Sequence, residues 1–516
     1  MLPPFVNEPY VDFSQKGPRS QMLDAIGLVA KELGQRYPLR IGAKRIDTKD
    51  RIASVCPSAY KQLIGEAAKA NADHADQAIQ VASETFGWWS RVDPEARARI
   101  LVKAAAIMRR RIYELAAWMC YEVSKSWIEA YAGVAEAIDF LEFYAREMMR
   151  LGGGQPVVPF GGEENELRYL PMGVNVVIPP WNFPCAITVG MTSAAIVTGN
   201  TVVLKPASTA PVIAAKFAQI MEEAGLPDGV LNYLPGSGSV VGDHLVCHPL
   251  TRTIAFTGSM EVGLGIFEKA AKLAPRQVWL KRTILEMGGK DCIVVDETAD
   301  LDAAAEGVAA SAFGFQGQKC SACSRLIAHR DIYDSLLEKV VDRAKTLTLG
   351  HTASQENLYM GGVIDEPAYK KINEYIEIGK KEGRMVLGGG RVPPDGWFIA
   401  PTIFADVGRN ARTAQEEIFG PVLAVIQAKD FDDGLDIANG TRYGLTGALY
   451  SRDRMRLERA RHEFHVGNLY FNRKCTGALV GVQPFGGFNL SGTDSKAGGS
   501  DYLLLFMQAK SIAERF

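Results

Sequence analysis

The chain has 516 residues, 47% of them hydrophobic, and its 57 basic and 59 acidic side chains leave a formal net charge of −2. That length corresponds to about three to four domain-sized units, and the near-cancelling charge argues against a nucleic-acid or anionic-membrane partner. No apolar run reaches the roughly 18 residues of a membrane span, and the opening MLPPFVNEPYVDF lacks the basic-then-apolar plan of a secretion signal, so a cytoplasmic location is expected.

Residues 1 to about 60 are mixed, with an extended stretch at 37–42. From about Ala67 to Met149 the pattern is helical, with Ala104, Met108, Ile112 and Leu115 as one apolar stripe, and it stops at Gly152-Gly153-Gly154. Glu136 shares a helix face with Phe140 and by itself reads as a solvated charge. Residues 155–160 and 165–170 read as a hairpin across Gly161-Gly162. Short apolar strands at 173–178, 201–205, 230–234 and 253–256 then alternate with helical runs, which predicts βαβ units and a mostly parallel sheet. A second α/β stretch runs from near Gly289 to about 465, with a strand at 292–296, helices at 303–312 and 333–347, and an apolar loop at 419–423. The glycine-rich tail becomes apolar at 502–506, where it reads as a strand added to the hairpin or to a partner subunit.

The segment FGFQGQKCSACSR (313–325) is where chemistry concentrates. Gly314 and Gly317 permit unusual backbone geometry beside Cys320, and Lys319 next to it would lower a thiol pKa. With Cys323 the thiol forms a CxxC, readable as a nucleophile with a bystander, a redox pair or half a metal site. Eight cysteines spread from Cys56 to Cys475 are no disulfide framework. No second close pair and none of the seven His is placed to complete a zinc site, so no metal is expected.

Four other places hold polar groups at strand ends, where open α/β sheets bind ligands. Asn182 follows the strand 173–178 and is a candidate oxyanion donor. Lys205 ends a strand and either reaches water or meets a ligand hydroxyl or phosphate. Gly258 and Ser259 precede a helix start, which favours a phosphate, although the stretch is neither a Walker A nor a GxGxxG. Glu286 stands on an apolar strand before Gly288 and Gly289, where a carboxylate is costly unless paired or at work; it is a candidate general base.

In order, PWNFP (180–184), KPA (205–207), FTGS (256–259), LEMGGK (285–290), FQGQKC (315–320), EEIFGPVL (416–423) and PFGG (484–487) make the chain resemble the NAD(P)-dependent aldehyde dehydrogenase superfamily over essentially its whole length. Glu286 and Cys320 stand 34 residues apart, the family's usual interval. The resemblance implies an α/β aldehyde dehydrogenase-like fold: a Rossmann-type cofactor domain (1–153 and 172–287), an α/β catalytic domain (288–470) and a small β oligomerisation arm (154–171 and 471–516). It makes Cys320 the nucleophile, Glu286 the base, and Asn182 with the Cys320 N–H the oxyanion hole. It assigns the cofactor to Pro180, Trp181, Lys205, Ser208, Gly258, Ser259, Glu417 and Phe419.

Within the superfamily, GFQGQKCSACSR and FHVGNLYFNRKCTGALVGVQPFGGF resemble the branch that oxidises L-glutamate γ-semialdehyde to L-glutamate in proline breakdown. That branch implies Ser321, Gly477 and Ala478 around the α-carboxylate, Glu136 on the amine, Lys319 adding positive charge, and Phe183 and Phe485 on either side of the carbon chain. Many NAD-preferring members carry Glu at the position of Ser208, so NAD with some tolerance of NADP is expected. A homodimer or larger assembly is implied, and any proline dehydrogenase would be a separate protein. Another semialdehyde or broad-specificity aldehyde dehydrogenase, and a thiol redox protein using Cys320 and Cys323, stay open.

Overall fold

A computed structural model describes residues 2–516. Its first large sheet has the strand order Arg282–Glu286, Thr251–Thr257, Val174–Ile178, Thr201–Leu204, Leu231–Tyr233, Leu39–Ile41, Lys44–Ile46. The first five are parallel and the last two antiparallel. Thr201–Leu204 is buried along its whole length and Val174–Ile178 nearly so, as expected where helices cover both faces. The register places Phe256 opposite Ile178, Thr257 opposite Glu286 and Val177 opposite Leu204. The turns carrying Asn182, Lys205, Ser259 and Met287 therefore leave one edge of the sheet.

The second large sheet runs Arg384–Leu387, Thr402–Ala405, Val422–Ala428, Arg325–His329, Cys292–Val295, Thr446–Tyr450, Asn468–Phe471, all parallel except the first. A three-stranded sheet is built from Gln35–Tyr37, Ala59–Ala68 and Arg51–Cys56.

Two local expectations are corrected. Helix does not begin near Ala67, because Ala59–Ala68 pairs with Arg51–Cys56. The first helix of that region, Ala72–Trp89, starts where Asn71 and His74 form a capping box. The hairpin across Gly161-Gly162 is also absent: residues 156–160 are not a strand, and only a bridge from Gln155 to Leu167 survives. Pro156 and Pro159 explain this, since proline breaks a ladder. Glu163–Pro171 instead pairs antiparallel with Met507–Arg515 over nine residues, while 502–506 is a tight 3-10 turn. The tail strand is thus real but begins five residues later than expected.

Helix Trp127–Leu151, capped by Ser126, packs on Pro94–Arg110 and Ala186–Val197 and presents Glu136 toward the sheet edge where the turns gather. From the other side, helix Leu301–Phe313 ends at Gly314, and three consecutive left-handed residues follow: Phe315 (φ +50°), Gln316 (+57°) and Gly317 (+65°). Non-glycine residues held there mark strain that the surroundings must over-determine. They do so: Gln316 Nε2 donates to Ser124 O (3.2 Å) and Gly362 O (2.9 Å), and Gln318 Oε1 accepts from Ile364 N–H (2.9 Å). This turn delivers Cys320 between the two sheets. At Gly317 an added methyl would land on the Gly420 carbonyl and lie 2.9 Å from Ala312 O. Gly317→Ala should therefore cost at least about 1–2 kcal/mol from the left-handed backbone alone and lose most activity; urea unfolding and an NADH absorbance assay check both.

Candidate active site

Two cavities meet at Cys320. One, of ≈ 120 Å³, lies between helix Trp127–Leu151, the Cys320 loop and residues 477–502; the other, of ≈ 690 Å³, opens along the edge of the first sheet. They share Thr257, Met287 and Cys320 as walls. The larger is within the about 300–1,000 Å³ usual for cofactor pockets; the smaller has room only for a small molecule.

Burial, then the carboxyl groups of Asp291, Glu417 and Glu286, push the Cys320 thiol above its ordinary pKa. This corrects the expected activation by Lys319. That side chain turns away, and its Nζ is 2.6 Å from Glu129 Oε1. Lys319 also lines neither of the two cavities. The Cys320 N–H has no protein partner among the described residues.

Glu286 ends the strand Arg282–Glu286 and lines the smaller cavity. Burial raises its pKa to about 8, against opposing pulls from the Ser495 hydroxyl and the Lys496 charge. Ser495 Oγ donates to Oε1, while Oε2 has no partner. Neither Ser495 nor Lys496 was singled out from sequence, because polar residues in a glycine-rich tail carry no signal of what they meet. Asn182 is buried; its Oδ1 accepts from Phe183 N–H (3.1 Å) and its Nδ2 donates to Gln318 O (3.1 Å). The second Nδ2 proton is uncommitted.

Glu136, Phe183, Ser321, Gly477, Ala478 and Phe485 all line the smaller cavity with Cys320 and Glu286. Burial lifts Glu136 to about 7, with Lys125 opposing the shift and Asp139 adding to it. Lys125 is a participant that sequence gave no reason to notice. Fully buried and without a hydrogen-bond partner, its Nζ lies 3.9 Å from the Phe183 ring centroid and 4.1 Å from that of Phe315. The two rings hold the cation, and it backs the aromatic wall of the cavity.

The larger cavity is lined by Pro180, Trp181, Lys205, Gly258, Ser259, Glu417 and Phe419, together with Asn182. Ser259 caps helix Met260–Ala271. Lys205 is buried, its pKa pulled down to about 8 by desolvation, and its Nζ meets only Pro206 O (3.2 Å). Glu417 Oε1 accepts from Gly289 N–H (3.0 Å); a methyl on Gly288 would strike the same carboxylate. Phe419 adopts φ +60° and meets Trp181 edge-on, with centroids 5.5 Å apart. Ser208 is exposed on the turn after Lys205 and lines neither of the two cavities.

Cys323 is buried and unbridged, its Sγ donating to Arg325 O at 3.4 Å. A His-x3-His pair passed over in the sequence, His244 and His248, gathers beside Asp76 with ligand atoms within 4.8 Å of one another. His248 Nδ1, however, accepts from Leu250 N–H (3.1 Å), so the neutral ring carries its proton on Nε2, which faces Asp76 at 3.1 Å. That is the tautomer of a hydrogen-bonded pair, not of an Nε2 metal ligand.

A thiol with a buried carboxyl in a small chamber, opening onto a dinucleotide-sized groove at a sheet edge, defines an aldehyde-oxidising architecture. The sequence profile of the Aldehyde dehydrogenase family matches residues 45–512, and the chain belongs to that family. It is 60% identical to the 1-pyrroline-5-carboxylate dehydrogenase of Geobacillus thermodenitrificans and 58% identical to 1-pyrroline-5-carboxylate dehydrogenase 1 of Halalkalibacterium halodurans, over all of both chains in each case. Among solved structures, 1-pyrroline-5-carboxylate dehydrogenase from Thermus with bound NAD superposes with a TM-score of 0.98 at 55% identity, each chain fully covered. Proline utilization A from Bdellovibrio bacteriovorus also matches with a TM-score of 0.98, at 44% identity, covering 99% of this chain and 53% of that one.

Because the resting thiol is pushed up, its alkylation by iodoacetamide should keep accelerating past pH 9, the ordinary thiol value. Cys320→Ser should abolish the reaction at this site; a rate already level near neutral pH would mean a resting thiolate.

Proposed function

We propose that the chain oxidises L-glutamate γ-semialdehyde to L-glutamate with NAD, using Cys320 as nucleophile and Glu286 as base. The supporting observation is the smaller cavity, in which a thiol and a buried carboxyl share one chamber with Ser321, the Gly477-Ala478 backbone and Glu136. A plain aliphatic aldehyde needs none of the last four.

The larger cavity suits NAD on its own chemistry. Lys205 has donors to spare for ribose hydroxyls, and the open N-terminus of helix Met260–Ala271 favours a pyrophosphate. Glu417 and Phe419 would take the nicotinamide ribose and ring. When bound, NAD supplies the acceptor for the hydride that leaves the substrate carbon.

The protein does the rest. Cys320 gives up its thiol proton to water, its Sγ bonds to the aldehyde carbon, and the carbonyl π pair moves onto oxygen as an alkoxide. The Asn182 Nδ2 and the Cys320 N–H stabilise it, and such a preorganised donor is worth about 10²–10³ in rate. Loss of hydride leaves a thioester on Cys320. Glu286 then takes a proton from the water that adds to the thioester, and sulfur departs as product is released. In the resting site both Cys320 and Glu286 are neutral near pH 7, which keeps two anions from being buried together.

We propose the same division into cofactor domain, catalytic domain and arm, supported by the two large sheets and the outlying strand pair. Val158, Phe160 and Phe516, all well exposed on or beside that pair, suit contact between copies of the chain, so we also place the oligomer interface there. The match to proline utilization A, over 53% of that Bdellovibrio chain, supports a functional coupling to proline oxidation.

Assays with glutamate semialdehyde, propionaldehyde and succinic semialdehyde test the substrate. Equal kcat/KM for all three would leave a broad-specificity aldehyde dehydrogenase. Hydrolysis of the acyl-enzyme should rise with pH through about 8, where Glu286 ionises. Glu286→Gln should remove that rise and slow the step by about 10²–10⁴, read by single-turnover kinetics. With Ser208 in place of a carboxylate, NADP should be accepted, its kcat/KM lying within about a thousandfold of that for NAD, or about 4 kcal/mol.

A further inference from the structure

Helix Trp127–Leu151 carries Glu136, and the loop 477–483 carries Gly477 and Ala478; both line the smaller cavity, yet no hydrogen bond joins helix to loop among the described residues. What joins them is the segment 2–13, which runs across both. Asn7 Nδ2 donates to Asp139 Oδ2 (2.8 Å) and also to Val480 O (2.9 Å), and Glu8 N–H donates to the other carboxylate oxygen of Asp139 (2.7 Å). Asp139 is buried and one helical turn beyond Glu136. Farther along, Phe5 meets Phe143 edge-on, with centroids 5.2 Å apart. A Cβ on Gly481 would lie 3.1 Å from Phe143 and 3.2 Å from Phe5, so the two rings close over that left-handed residue. Arg109 pairs with Glu8 at 2.8 Å, and Arg146 donates to Pro3 O at 2.9 Å.

We propose that the segment 2–13 is a positioning strap for substrate selection. Asn7 ties the helix bearing Glu136 to the loop bearing Gly477 and Ala478, and so fixes the span between the groups that receive the amine and the carboxylate. This rests on the function proposed above. Backbone donors on a glycine-rich loop bind a carboxylate well only when the loop is already ordered, since ordering it at binding subtracts from affinity. An aldehyde with no amino-acid head group does not engage that span, and its oxidation is indifferent to the strap.

The test is Asn7→Ala, with Phe5→Ala as a second variant that loosens the Gly481 end without touching Asp139. Three quantities are measured: kcat/KM for glutamate semialdehyde, kcat/KM for propionaldehyde, and the inhibition constant of L-glutamate. Loss of a hydrogen bond to a buried carboxylate should lower the first by about tenfold and raise the third by about as much, through KM and not kcat. Propionaldehyde turnover and the KM for NAD should stay as in the unmodified protein. Parallel loss on both aldehydes would mean a merely structural role and overturn the proposal, as would wild-type discrimination in both variants. If Asn7→Ala does not fold, Phe5→Ala alone decides between these outcomes. Failure of the unmodified protein to prefer glutamate semialdehyde would instead overturn the substrate assignment, which keeps the two failures distinguishable.

Discussion

The site depends on one backbone constraint, the left-handed turn at Phe315, Gln316 and Gly317. A helix leaving the second sheet would otherwise carry the chain past the edge of the first. Reversing the sign of φ over three residues brings the thiol to the strand ends that hold Glu286 and the loop of Asn182. Holding non-glycine residues in this conformation costs of order 1–3 kcal/mol each. Gln316, with both Nε2 bonds made to backbone carbonyls of distant segments, offsets part of that cost and ties the turn to its surroundings.

The second theme is desolvation. Cys320, Glu286, Glu136, Lys205 and Lys125 are shifted toward their neutral forms, with burial the largest cause in each. Acids and bases thus shift in opposite directions, each toward the form that burial penalises least. A substrate that brings its own ammonium and carboxylate, and a cofactor that brings phosphates, meet groups able to respond to them. Lys125 is held by two ring faces and no hydrogen bond, and its charge opposes the upward shift of Glu136.

Much of this was legible beforehand for a definite reason. The parallel strands are short apolar runs closed by glycine, and strand ends are where ligands sit, so Asn182, Lys205, Ser259 and Glu286 could be placed near one edge without coordinates. Glu136 was ambiguous on a helix and gained a role only from resemblance; its place in one chamber with Phe140 and Phe183 is a tertiary fact. Lys319 misled as an activator of the thiol, because adjacency in sequence says nothing about where a long side chain turns, and Glu129 lies 190 positions away. Ser495, Lys125 and Asn7 were invisible for the same reason. Each is a common polar residue whose meaning is its partner. The false hairpin shows the converse failure, where a convincing turn sits between one real strand and one broken by proline.

The pairing of Glu163–Pro171 with Met507–Arg515 has a consequence for how the enzyme comes into being. Chains emerge from the ribosome amino end first, and domains fold largely in that order. The thiol, Glu286, Glu136 and Phe183 are all made well before the residues that close their chamber, which begin at Gly477. A nascent chain therefore exposes an apolar, half-walled pocket and an unpaired arm strand until residues 477–515 have been made. Ser495 reaches Glu286, Val480 reaches Asn7 and the arm gains its second strand within that same stretch, so chamber and arm are completed together, after everything before Gly477 has been made.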